Sequence, residues 1–416
     1  MKRRCHVGAM TLLTTALLLS LALMLALGMY KTSLYEIKRA QNEVESRKAF
    51  WLAEGGVECA IAQYYPSKVI PAVVKSCDTS LTVTQAITLD SESGDVVIAA
   101  LSGDHKVSRR FARGTSNLKS GAIQTSASMK VKTSLAIKTP DPGDHTSGGW
   151  ECIAFRFKGK LTIEGALTND GLIHGSDPSE DFISEQDCLR EHKSTFNGGC
   201  SSSDPRCFGQ DFVYDDTLSV FEDFFGIPVS QHDAVRTNGT FTEIDLETNN
   251  GDGELKRKNC GQVIVEQLAK GNLHLWLNGS CVISASHLNE IRTLSQASDG
   301  ITLLIHDGLF VLQGAATIKG VLFHFNPSFT PSPEIWHELN LADSANTHFP
   351  DDYGSAAYYQ GGSFDITGGA YFDYANVNHL ALFRDSLALH YNRDVIVNSS
   401  SALASHAWKK GSWRDF

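Results

Sequence analysis

The chain has 416 residues, 42% of them hydrophobic, and a formal net charge of -11 at pH 7. That length exceeds one small domain and leaves room for a helix and two globular portions, while the composition suits a folded body and not a disordered one. The acidic balance excludes a nucleic-acid partner, which needs an excess of Lys and Arg on one surface. The first element is a short basic leader, Lys2-Arg3-Arg4, running to Gly8. An uncharged apolar run follows from Ala9 to Tyr30, and a bilayer-spanning helix needs ~20 such residues. It exceeds the core of an ordinary signal peptide, and no small-x-small cleavage site follows it. The helical pattern continues without proline to Pro66, so a rod over residues 9–65 would extend roughly 85 Å at ~1.5 Å per residue. Beyond the span, Leu34, Ile37, Val44 and Trp51 recur near heptad spacing among charged neighbours, an amphipathic stripe. In its first half this stripe is expected to meet partner helices; from Trp51 onward it is expected to pack on the protein's own body. The leader charges Lys2, Arg3 and Arg4 hold the N-terminus in the cytoplasm by the positive-inside bias, which places the body outside it.

Four features taken together resemble the leader and N-terminal helix of type IV pilins: the leader ending at Gly8, the small residue Ala9, the apolar span that follows at once, and the segment Arg47-Lys48-Ala49-Phe50-Trp51-Leu52-Ala53-Glu54-Gly55-Gly56. The match is nearest the PilX-type minor pilins and, less so, the K-type minor pseudopilin of type II secretion, over about the first 65 residues. The resemblance implies cleavage between Gly8 and Ala9 by a prepilin peptidase and insertion in a bacterial inner membrane with a periplasmic body. It also implies packing against other major and minor pilins through Leu13, Leu34, Ile37, Val44 and Trp51, and residence on a pilus or cell surface after assembly. Major pilins carry a glutamate at the fifth mature position, where this chain has Leu13. An unpaired carboxylate in lipid is costly, and PilX-type and K-type proteins lack it too. The departure points to a minor subunit at a tip or priming position.

There are nine cysteines. Cys5 lies in the leader, which leaves Cys59, Cys77, Cys152, Cys188, Cys200, Cys207, Cys260 and Cys281. An even set in an oxidising compartment reads as disulfides, and no C-x-x-C pair suggests a metal site. The expected pairs are Cys59–Cys77, tying the helix end to the body, and Cys260–Cys281; the other pairings stay open.

The expected fold class is α+β: a long N-terminal pilin-like transmembrane helix (9–65, spanning at 9–30) behind a leader (1–8), then a mostly-β body. Residues 66–115 read as a β-rich connecting region with strands at Leu81–Leu89 and Val96–Leu101. Residues 116–416 break into short alternating pieces, and three share an Ile-x-Gly core: Ile163-Glu164-Gly165, Ile318-Lys319-Gly320 and Ile366-Thr367-Gly368. Such pieces suit a short irregular β-solenoid with disulfide-pinned loop insertions, and the same alternation suits a sandwich. The stretch also resembles the β-helix-like body of some PilX-type proteins, through these strands, His390-Tyr391-Asn392 and Ser412-Trp413-Arg414. Residues 175–210, 212–270 and 326–361 read as insertions, the first pinned by cysteines, the second holding a short helix at Phe221–Phe225, the last a surface loop. Surface or glycan binding is expected in such loops.

Catalytic signatures do not emerge. His337-Glu338 begins like a zinc-protease helix, but position 341 is Leu. Asp245 to Glu254 is rich in oxygen ligands with its glycine out of register for an EF-hand, and Asp90–Ser93 has the wrong spacing for a metal-dependent adhesion motif. Asp365 and Asp373 are the one carboxylate pair near the repeats that a carbohydrate-active enzyme would use. A non-enzymatic subunit with no cofactor and no metal is therefore expected. The alternatives are a membrane-anchored adhesin or a carbohydrate-active β-helix protein outside any pilus.

Overall fold

The computed structural model describes residues 6–67, 84–89, 96–112, 119–172, 178–179, 182, 186–204, 206–237, 239–248, 259–396, 407–408 and 414–415. The chain divides into two compact units, one formed by Met1–Ala112 with Ala407–Phe416 and the other by Arg113–His406. The protein is α+β, with one long apolar N-terminal helix and a large β body.

The first unit is built on α1 (His6–Ser67). Its C-terminal part carries an antiparallel meander of β1 (Thr84–Leu89), β2 (Val96–Ser102) and β3 (His105–Ala112). Ala53, Val57, Ala60 and Ile61 are buried against Ile98, Ala100 and Val107. These helix positions are spaced i, i+4, i+7 and i+8, so they line one face, and the two alanines let the sheet approach closely.

The second unit opens with β4 (Ile123–Thr125), β5 (Ser128–Val131) and β6 (Leu135–Thr139), one strand for each of three sheets. A hairpin of β7 (His145–Thr146) and β8 (Gly149–Trp150) follows. Then β9 (Phe155–Phe157), β10 (Leu161–Ile163) and β11 (Leu167–Asn169) pair in parallel with β4, β5 and β6. Beyond them, β12 (Thr195–Phe196) and β13 (Cys200–Ser201) close two of these edges antiparallel, and β14 (Phe212–Tyr214) extends the third. After α2 (Val220–Phe225) and α3 (His232–Arg236), the chain restarts at the far side with β15 (Thr242–Asp245), α4 (Cys260–Ala269), β16 (His274–Asn278), β17 (Cys281–Ile283) and α5 (Ala285–Gln296).

From there it works back through the three sheets. The strands are β18 (Ile301–His306), β19 (Phe310–Gln313), β20 (Ala316–Ile318), then β21 (Gly320–Asn326). Helices α6 (Pro333–Glu338) and α7 (Ala342–His348) precede β22 (Ala356–Gly361) and β23 (Phe364–Ile366). The last triplet is β24 (Ala370–Tyr374), β25 (Leu380–Phe383) and β26 (Leu387–His390). This triplet pairs in parallel with β4, β5 and β6, so the first triplet of the unit is flanked by the second on one side and the last on the other.

The Ile-x-Gly repeats have a steric cause. A Cβ on Gly165 would fall on the backbone of Thr133, one on Gly320 on the carbonyl of Ile301, and one on Gly368 on the carbonyl of Gly320. Each glycine sits where adjacent backbones stack, and a side chain there would force them apart. Between the sheets, Phe310 and Tyr358 from one meet His324 and Phe372 from another. Outside, Phe221, Phe224 and Phe225 of α2 pack on Phe323, Phe325 and Tyr371 of the eight-stranded sheet. Trp336, Leu339, Ala345 and Phe349 cover Val311, Tyr359 and Leu382 of the seven-stranded sheet.

Two expectations are corrected. Residues 326–361, read as a surface loop, contain α6 and α7, with Trp336 buried; the apolar positions of this proline-rich stretch are too sparse to reveal a helix by period. The chain's end, assigned to the body, returns to the first unit: β27 (Ala407–Trp408) and β28 (Arg414–Asp415) both pair with β3. Short strands that pair with a partner some 300 residues earlier carry no local signal of it.

Disulfides join Cys152 to Cys188, Cys200 to Cys207 and Cys260 to Cys281. Cys59 is also disulfide-bonded; its expected partner Cys77 lies outside the described residues.

Candidate functional site: the exposed faces of the long helix

The helix α1 contains a stretch long and apolar enough to cross a membrane, none of it buried. Leu12, Leu13, Leu17 to Leu19, Met24, Leu25, Leu27, Met29 and Tyr30 contribute large exposed apolar side chains. No charged residue interrupts positions 9–30, so the whole circumference of this segment favours lipid or other apolar helices over water. Thr14, Thr15, Ser20 and Thr32 turn their hydroxyls back to carbonyls three or four residues earlier, which satisfies them without solvent. Gly8 and Ala9 lie in the first turns of α1.

Past the apolar stretch, Leu34, Ile37, Val44 and Trp51 all stay exposed, Trp51 at 67%. The sequence reading places Trp51 at the start of contact with the body; the structure instead turns it to solvent. Ser46 and Ala53 follow Val44 and Trp51 by two positions, about 200° round a helix of 3.6 residues per turn. Ala53 is buried on the sheet and Ser46 bonds His105 Nε2 at 2.8 Å. The helix thus presents Ala53, Val57, Ala60 and Ile61 to its own sheet and leaves Ile37, Val44 and Trp51 on the opposite side. Arg109 on β3 fixes this orientation, its guanidinium donating to Glu54 and to Glu58, each at 2.8 Å.

The second unit holds the titratable groups that chemistry would need. Asp365 and Asp373 lie on different sheets, β23 in the six-stranded and β24 in the eight-stranded one, and bond different partners. Asp373 is half-buried, accepts from the Phe221 amide at 2.7 Å and from Ser126 Oγ at 3.0 Å, and desolvation pushes its carboxyl above the usual range. That is an anchor for the start of α2. Asp365 Oδ2 instead accepts from His390 Nδ1 at 2.6 Å, and this bond raises the imidazole's pKa while nearby Lys138 works against the shift. No sequence spacing revealed this pair, since its residues are 25 apart and meet only through the pairing of β23 with β26.

Among the described residues no three His, Cys, Asp or Glu side chains converge as a metal site requires. His337 and Glu338 end α6. Asp245 accepts from the Glu247 amide in a local turn; positions 249–254, Asp90–Ser93 and Ser412–Trp413 lie outside the described residues. The chain matches no protein-family model, no curated protein and no solved structure.

Proposed function

We propose that this chain is a non-enzymatic, membrane-anchored subunit of a type IV pilus or pseudopilus-like filament, cleaved after Gly8 and acting in priming, at the tip or in adhesion. The observation that carries the reading is the division of α1 into two opposed faces. Ala53, Val57 and Ala60 hold the protein's own sheet, while Ile37, Val44 and Trp51 are left exposed on the other side. A helix that served only as a tether would gain nothing from a row of large apolar groups in water, each costing about 1.5–3 kcal/mol relative to burial. Partner pilin helices would cover that row outside the membrane, and the apolar stretch would continue the same contact within it. Leu13, exposed on α1, takes the place of the major pilins' glutamate, which supports a position with no neighbour above it.

In this reading the body is a three-sided β-solenoid, supported by the parallel pairing of successive triplets across three sheets. It stands in the periplasm until assembly and on the cell surface afterwards, where its insertions are free to bind.

The test is N-terminal mass analysis of the protein from cells with and without prepilin peptidase. A chain beginning at Ala9 only where the peptidase is present is the expected result. An intact Met1 start in both strains would overturn the reading and leave a membrane-anchored adhesin or glycan-active protein.

A further inference from the structure

Leu34, Ile37, Gln41, Val44, Lys48 and Trp51 follow one another along α1 at alternating steps of three and four residues. The same steps run back through Tyr30, Leu27, Leu23, Ser20 and Ala16 to Leu13. Every residue of this row is exposed. Between Lys31 and Trp51, Tyr35 is the only exposed large apolar side chain that stands off it. Ser46 and Ala53, which meet the protein's own sheet, lie on the opposite side of the helix. A three-four repeat falls slightly short of the helical turn, so a row of this length stays in contact only with a helix wound round it in a left-handed sense. Such a row calls for a long partner helix and not for a sheet.

We propose that the row docks against the same row of a second copy of this chain, parallel and in register, while both are anchored in one membrane. The partner must cross the membrane beside α1 and carry an equally unbroken row beyond it, and α1 of another copy presents that row at the same depth. The two large polar members outside the span favour self-pairing. In register the Gln41 side chains meet, and each amide both donates and accepts. Lys48 comes within reach of Glu45 on the other helix, exposed at the flank of the seam, and two-fold symmetry makes that charge contact twice. Leu34 followed by Ile37 would alone suit a larger bundle, but Gln41 and Lys48 reach water at the rim of a pair and would be enclosed in anything larger. Ala16 and Ser20 let the backbones approach within the span, where packing drives association. From Leu13 to Trp51 the seam is about 57 Å long, and a helix width of ~10–12 Å gives roughly 600 Å² on each copy. The two faces together reach roughly 1,200 Å², the low end for a specific interface. A contact of that size pairs chains held in one membrane plane and releases them on dilution in detergent, or when a filament takes the helix up. The pair rests on the reading of this face as a helix-binding surface and not on cleavage at Gly8.

The test places two full-length copies with different epitope tags in bacterial cells that lack prepilin peptidase and every other filament subunit. Val44→Cys, on the row, should yield a disulfide-linked species of twice the chain mass that carries both tags. Asn42→Cys, exposed but off the row, should yield at least tenfold less. Adding Ile37→Lys to Val44→Cys sets a charge in the seam and should cut the doubled species at least tenfold. Ile37 is exposed, so the thermal transition of the purified chain is retained. Absence of the doubled species at Val44→Cys overturns the proposal; a conjugate of another mass on restoring the other filament subunits would then leave the filament reading standing. Equal yields at positions 42 and 44, or a doubled species that Ile37→Lys leaves intact, overturn it as well.

Discussion

Val57 and Val44 are the same residue on the same helix, thirteen positions apart, in opposite circumstances. Val57 is completely buried on Ile98, Ala100 and Val107, while Val44 is 66% exposed. Trimming Val57 to Ala leaves a cavity under the sheet and is expected to cost on the order of 2 kcal/mol. Trimming Val44 to Ala should change the isolated protein's stability by less than about 0.5 kcal/mol. Urea unfolding in detergent, followed by fluorescence, checks both; equal costs would mean that the row is covered in the isolated protein. The large apolar residues of α1 were legible in the sequence, but the face that meets the sheet was not. Beside Val57 and Ile61, Ala53 and Ala60 carry little hydrophobic signal, and their smallness matters only because a sheet lies against them.

At the scale of elements, α2 is a six-residue helix that no isolated peptide would form. It exists because Phe221, Phe224 and Phe225 pack on Phe323, Phe325 and Tyr371, and because Asp373 accepts from its second amide. The aromatic cluster at 221–225 announced a helix in the sequence; its seat, on strands a hundred or more residues later, was announced by nothing local. Replacing Phe224 with Ala should cost about 3–5 kcal/mol and open the segment before the sheets themselves fail. Limited proteolysis within residues 215–237 reads this directly. A variant as resistant as the parent would mean that α2 is held by its ends and not by its rings. The cover on the seven-stranded sheet follows the same physics, with Trp336 buried against Tyr359.

For the molecule as a whole, acid sensitivity follows from buried histidines in the second unit. Burial depresses His274 and His306 to about 4 and His324 to about 3, against ~6.5 in the unfolded chain. Between those values the unfolded chain binds more protons than the folded one, so stability falls as pH drops from about 6.5 toward 4. Asp141 and Asp373, raised by burial, act in the other sense: what they contribute is present at low pH and lost as pH rises through their folded values. The expected result is a denaturation midpoint that declines from pH 7 to pH 4.5, with a shallower decline in His306→Gln. An unchanged slope in that variant would mean that His306 protonates freely in the folded state.

By itself the sequence determined what is written in local composition and period. The apolar span, the continuation of the helix past it to about residue 65, the short strands and the Ile-x-Gly corners all follow from the run of residues along the chain. Tertiary structure alone decided what depends on partners distant in sequence. It set β27 and β28 beside β3 and the last triplet of the body against its first. It also brought Asp365 to His390 and turned Trp51 away from the sheet. Backbone hydrogen bonds join whichever strands the core brings together, and a strand three to five residues long carries too little information to name its neighbour.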